Sequence, residues 1–360
     1  MKNSIKMNIS NKKRKKTKII YYDIGLSFLR PFLSFFVIMT HCYDIPKTQK
    51  AWKRLYQKAD RFLFHVPIFF LMSFYFSYKT IISRNYGKQL KRIERLLIPY
   101  IIWPIISFFF NRILNRIIVT KIIYIYTFND LKIQFLYGFG HSFNGVLWYQ
   151  FDLILITICY FLIALLFKNN INFIIILISI VAFIKQYNGD NYRFCSKYKD
   201  KRYFGYGRIV EMIPFSAIGF LIASQGIMKY LRQFKLKTFL VLIFIIYTLN
   251  NYNIFSTLKN PHYDGIKLYL KSISIFICFA MFPSEKIKNK IFLKIIKKIS
   301  NHTAGIYFLH QMVFRYIKEY FIIFKNKTLK GCIFLYLICY LICLFGTYFF
   351  GKTKLRHLFE

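Results

Sequence analysis

The feature that most constrains this chain is a succession of apolar segments, each long enough to cross a bilayer. A hydrocarbon core of about 30 Å is spanned by roughly 20 helical residues. In lipid, such a segment satisfies its own backbone N–H and C=O groups only by becoming a helix. The segments run near Ile19–Cys42, Phe62–Ile82, Leu96–Val119, Val146–Phe167, Ile171–Lys185, Ile209–Tyr230, Leu236–Tyr252, Ile266–Phe282, Thr303–Phe324 and Gly331–Gly351. No internal repeat or second soluble domain interrupts them. The expected architecture is therefore all-α: a polytopic membrane bundle of roughly ten transmembrane helices. Residues 1–18 form a basic tail, 19–352 a single membrane domain, and 353–360 a short C-terminal tail.

Composition supports this reading. The chain is 56% hydrophobic, 21% aromatic and 19% charged, against about 45–50% apolar and about 25% charged for soluble domains. The formal net charge of +41 would by itself suggest a nucleic-acid binder. That class is excluded because the basic residues cluster between apolar segments, where Lys and Arg anchor helix ends to lipid head groups. Eight of the first 18 residues are Lys or Arg, and a long apolar segment without a small-residue cleavage site follows, as in an uncleaved first helix. A modest excess of Lys and Arg on the side of the amino terminus puts both termini in the cytoplasm. The seven cysteines show no metal-binding spacing such as CxxC, so free thiols and no metal site are expected.

Charges inside the hydrocarbon layer cost about 2.5–3.5 kcal/mol each on insertion scales, which makes every one a candidate for function. In the first segment, RPFLSFFVIMTH places Arg30 and His41 eleven residues apart. That spacing is about three turns plus 20°, so the two share one helix stripe, separated by about 16 Å along the axis. Taken as a pair, they read equally as a snorkelling Arg with an interfacial His. At the mouth of the third segment, KRIERLLIPY carries Arg92 and Arg95 on one helix face. Two guanidinium forks there can clamp phosphates, or anchor head groups. The fourth segment opens with GVLWYQFDLIL, which holds Trp148 and, one turn on, Asp152; Glu211 in RIVEMIPF is a second acid near the membrane. Either acid can orient a His and stabilise its charged form, or pair with a neighbouring Arg, as Arg208 is placed to do for Glu211. His65 and His310 also fall within segments, where hydrogen-bonded packing is the plainer role for a His.

Together these elements resemble the bacterial acyltransferase-3 family of integral membrane acyltransferases. The shared marks, in order, are an Arg and a His separated by ten residues (Arg30, His41), then HVPIFFLMSFYFS, then RIERLLIPYIIW, then LWYQFDL, and finally NHTAGIYFLH. The resemblance covers nearly the whole chain after residue 18. One departure is that the family's Ser-Gly in the second helix is Ser73-Phe74 here.

The resemblance implies an O-acyltransferase that moves an acetyl or other short acyl group from acyl-CoA to a hydroxyl of a cell-surface polysaccharide or related glycan. It implies His41 as general base, Arg30 and Asp152 as further catalytic groups, and Arg92 and Arg95 on the phosphates of the donor. Trp148, Glu211 and His310 then fall to the acceptor. Acetyl-CoA would be a co-substrate rather than a bound cofactor, and the setting a bacterial inner membrane; Cys42 beside His41 is an alternative nucleophile for an acyl-enzyme route. The rival class is a transporter or flippase for a lipid-linked glycan, also a polytopic bundle with buried charges. It predicts no acyl-CoA binding.

Overall fold

The computed structural model describes residues 24–40, 64–83, 85–117, 127–138, 147–187, 204–231, 266–282, 289–320 and 329–353, with a few helical residues between 233 and 248. Every regular element among the described residues is helical. The helices are α1 (Ile24–Thr40), α2 (His65–Ile82), α3 (Tyr86–Ile117), α4 (Phe128–Tyr137), α5 (Trp148–Leu166) and α6 (Ile171–Tyr187). They continue with α7 (Phe204–Ser224), α8 (Ile227–Leu231), α9 (Ile266–Ala280), α10 (Lys290–Asn301), α11 (Thr303–Tyr320) and α12 (Leu329–Phe350).

Two of these differ from the sequence expectation in kind. Helix α4 sits inside what reads as the longest loop. It is started by a reciprocal cap, Thr127 accepting from the Asp130 N–H while Asp130 accepts from the Thr127 N–H. It is stopped at Gly138, whose φ of 66° is the left-handed conformation that glycine adopts without strain. Helix α10 lies between two apolar segments and is polar on one side. Helix α3 starts ten residues before its apolar stretch, because Lys, Gln, Arg and Glu are good helix formers and Asn85 Oδ1 accepts from the Lys88 N–H at its start.

Helix α2 is the centre of the bundle. Ile68, Phe70, Leu71 and Phe74 are fully buried, and α7, α9, α5 and α3 all pack around it. Its tightest neighbour is α7, which crosses with Gly219 against the backbone of Leu71; a Cβ at 219 would overlap the Leu71 carbonyl. Polar side chains tie neighbouring helices at single points. Tyr160 and Ser216 share a hydrogen bond of 2.8 Å between α5 and α7. Gln186 joins three helices, donating to the Val210 carbonyl and accepting from Tyr269 Oη, both at 2.7 Å. A separate apolar cluster of Ile38, Ile306, Phe314, Leu335 and Cys339 binds α1, α11 and α12.

The outer surface is apolar in helical stripes. On α6, Phe173, Ile176, Leu177, Ile180, Val181 and Ile184 are all exposed, at the spacing of one helix face. Phe334, Leu337, Leu341 and Phe345 do the same on α12. A water-soluble protein buries such stripes; a bilayer is the solvent in which they stay outside. By length and composition, Tyr86–Ile113 and Trp148–Leu166 can cross a membrane, and Ile24–Thr40, Ile171–Gln186 and Phe334–Phe350 are shorter apolar helices.

The Gly219 crossing makes a direct prediction. Gly219→Ala should cost about 1–3 kcal/mol through overpacking and lower the thermal unfolding midpoint in detergent. Gly346→Ala, whose Cβ would meet Leu309 at an ordinary 3.5 Å, should leave that midpoint nearly unchanged.

Candidate active site

The site is assembled on α2, around which α3, α5, α7 and α9 pack. Ser73 Oγ accepts a hydrogen bond from Arg92 Nη2 of α3 at 2.9 Å, and the Ser73 carbonyl lies 3.5 Å from the same nitrogen. The Arg92 guanidinium rests 6.0 Å from the centre of the Phe74 ring. Its Nε is buried and makes no hydrogen bond to any described residue. From the other side, Arg30 of α1 lies over Phe76 at 5.2 Å. Two guanidinium groups from two different helices thus lie against aromatic side chains of α2, Arg92 beside buried Phe74 and Arg30 over exposed Phe76.

Tyr149, in the first turn of α5, is within electrostatic reach of both Arg92 and Arg30. Its ring is wedged edge-on against Phe70 at 4.9 Å and packs against Tyr307 of α11 at 5.3 Å. Gln150 fixes this turn by donating to the Leu96 carbonyl of α3 at 2.8 Å. That bond holds α5 against the segment of α3 that carries Arg92.

Trp148 and Asp152 are four apart and so share the next face of α5. Arg208 of α7 stacks on Trp148 at 4.2 Å. Asp152 is fully buried, and neither carboxylate oxygen has a hydrogen-bond partner among the described residues. Arg208 and Glu211, one turn apart on α7, are the charged groups that act on it. A buried carboxylate without direct hydrogen bonds is costly, and such costs are retained where a site binds or moves protons.

His310 is buried on α11, its Nδ1 2.6 Å from the Tyr307 carbonyl. His65 of α2 is its ionisable neighbour. Ring contacts run from Trp148 to Tyr149, then Tyr307, then His310, with centroid spacings of 6.5, 5.3 and 5.8 Å. One aromatic wall therefore links the two acidic residues' side of the bundle to the two histidines.

The structure thus brings Arg30, Arg92 and Tyr149 together, and Trp148, Asp152 and Glu211 together. It separates Arg92 from Arg95: Arg92 turns in to Ser73, while Arg95 is exposed. A spacing of three residues leaves about 60° between them, enough at the rim of a bundle to send one inward and one outward. His41, with Cys42, lies outside the described residues.

A membrane bundle with paired arginines facing an aromatic wall and a buried carboxylate defines a class: an integral membrane protein built around an interior polar site. A family model described as an acyltransferase domain matches residues 23–353, and the chain belongs to that acyltransferase-3 family. It is accordingly a membrane acyltransferase. No curated protein and no solved structure matches the chain.

Sequence reasoning did not single out Ser73, Tyr149, Arg208 or Tyr307 as site residues. Tyr149 and Tyr307 were in view inside LWYQFDL and GIYFLH, but nothing in the spacing distinguishes them from the other tyrosines. The Ser73–Arg92 bond sets a test. Ser73→Ala should cost about 1–3 kcal/mol by removing the nearer of the guanidinium's two acceptors, whereas Arg92→Met should be near neutral or stabilising, since an apolar side chain needs no partner. In the Arg92→Met background, Ser73→Ala should then cost little. Thermal unfolding of the four proteins in one detergent measures the cycle.

Proposed function

We propose that this chain is an O-acyltransferase that moves a short acyl group, acetyl foremost, from acyl-CoA to a hydroxyl of a cell-surface glycan. The observation that carries the proposal is the convergence of Arg30 and Arg92 on Tyr149 inside the bundle. Two half-buried guanidinium groups suit a substrate that brings negative charge into the membrane, as a CoA thioester does on its phosphates and develops on its carbonyl in the transition state.

In this reading the donor enters from the cytoplasm. Arg95, exposed at the rim, meets its phosphates first, and Arg92 holds them inside. The glycan hydroxyl attacks the thioester carbonyl carbon while its proton passes to His41. Arg30 stabilises the oxyanion of the tetrahedral intermediate. Collapse breaks the C–S bond, forms the ester, and returns the proton to the CoA thiolate. Asp152 holds the charged imidazole, and Trp148, Glu211 and His310 line the acceptor side. The setting is a bacterial inner membrane, with both termini cytoplasmic and the acceptor on the opposite face.

Acetyl-CoA binding by the detergent-purified protein tests the donor half without knowledge of the acceptor. Wild type should bind, and Arg95→Ala, a change at an exposed side chain, should weaken binding roughly tenfold while leaving the unfolding midpoint unchanged. The Arg92→Ala, Arg95→Ala double variant should abolish binding. His41→Ala should bind normally yet lose acyl transfer by about 10²–10⁴-fold. A folded wild type that binds no acetyl-CoA would overturn the proposal in favour of glycan transport.

A further inference from the structure

Away from the acyl-transfer site, α10 combines two properties that the reaction does not use. Its sequence KIFLKIIKKISN puts Lys294, Lys297 and Lys298 along one side and Ile291, Phe292, Ile295, Ile296 and Ile299 along the other. Only part of that apolar side finds a partner: Ile296 is buried, whereas Ile291 is 72% exposed, Ile295 49% and Phe292 44%. A basic helix with an uncovered apolar face lies in the plane of a membrane interface, its apolar side in the acyl boundary and its lysines among head groups. The helix is fixed in place at its start, where Asn289 Oδ1 accepts from the N–H groups of Ile291 and Phe292, both at 3.0 Å.

The end of α10 meets the end of α12, and the two build a cationic pincer. Lys298 packs its ammonium on the Tyr348 ring at 4.2 Å, and Lys352, from the turn that closes α12, packs on the same ring at 4.5 Å. His302, at the C-cap of α10, stands edge-on to that ring at 5.9 Å. The turn at Gly351 presses against His302, so closely that a Cβ there would come within 3.0 Å of the imidazole. Two exposed ammonium groups, one from α10 and one from the turn after α12, therefore meet around one phenol ring. Among the described residues no carboxylate pairs with either ammonium, and the acid that the described residues of α10, α11 and α12 contain is Glu319. It lies in the last turn of α11, some 25 Å along that helix from His302.

We infer that α10 and the Lys298–Lys352 pincer form a binding site for an anionic phospholipid, the head-group phosphate between the two ammonium groups and the acyl chains against Ile291, Phe292 and Ile295. The charge is complementary, the uncovered apolar face adjoins it on the same helix, and the family's membrane setting supplies the lipid. Each lysine near an anionic surface is worth about a fivefold preference.

Native mass spectrometry of the full chain in neutral detergent tests this, with equimolar phosphatidylglycerol and phosphatidylcholine added. The wild type should retain phosphatidylglycerol in preference. Lys298→Gln with Lys352→Gln should lower that preference roughly 20-fold or more, and Lys298→Arg with Lys352→Arg should keep it. A control pair at exposed positions elsewhere, Lys185→Gln with Lys229→Gln, should not change it. Matching unfolding midpoints show that the variants are folded. Equal retention of phosphatidylglycerol by wild type and the Gln pair would overturn the inference. So would loss of the retained lipid on adding CoA, which would make the pincer part of the donor path. The readout involves no acyl transfer, so it stands or falls apart from the function proposed above.

Discussion

The bundle depends on α2 being approachable from all sides. A helix surrounded by four others needs at least one neighbour to come nearer than side chains normally allow, and Gly219 is where α7 does so, against the Leu71 backbone. With α7 that close, the fully buried Phe70, Leu71 and Phe74 are held rigidly. Part of the interior site is referenced to this helix. Ser73 positions Arg92, Phe76 receives Arg30, and Phe70 fixes the Tyr149 ring.

The interior charged groups fall into two sets. Arginines from α1 and α3 both act on Tyr149, while α5 and α7 bring Asp152, Glu211 and Arg208 together around Trp148. The first turn of α5 separates the two groups, because successive residues there point about 100° apart. A tyrosine faces the cations and, three positions later, an acid faces α7. This division suits a reaction in which one substrate is anionic and the other is a hydroxyl that must lose a proton.

The solvent-facing features follow from the same bilayer constraint. Apolar stripes on α6 and α12 can remain outside because hydrocarbon receives them. Where those helices end, lysines and Tyr348 take over, as expected for residues with an apolar stem and a polar tip. Helix α10, basic on one side and apolar on the other, has the pattern of a helix that lies along such a boundary.

Much of this was legible in the sequence. Apolar runs located α5 and α6 to within a few residues, and the ordered motifs identified the family, because lipid forces long apolar segments to be helices whatever surrounds them. Helices α4 and α10 were not read, since short amphipathic helices at the membrane surface lack a spanning apolar run; the Thr127–Asp130 spacing was the available sign of the first. The sequence could also name Arg30, Arg92, Trp148, Asp152, Glu211 and His310 as rare intramembrane polar residues. Only the tertiary structure decided which of them meet. Helical periodicity fixes the face a residue occupies to within tens of degrees, but not what packs opposite. Arg92 could therefore find Ser73 while Arg95, three residues on, faced outward, and the partners that complete the site, Tyr149, Arg208 and Tyr307, came from helices distant in the chain.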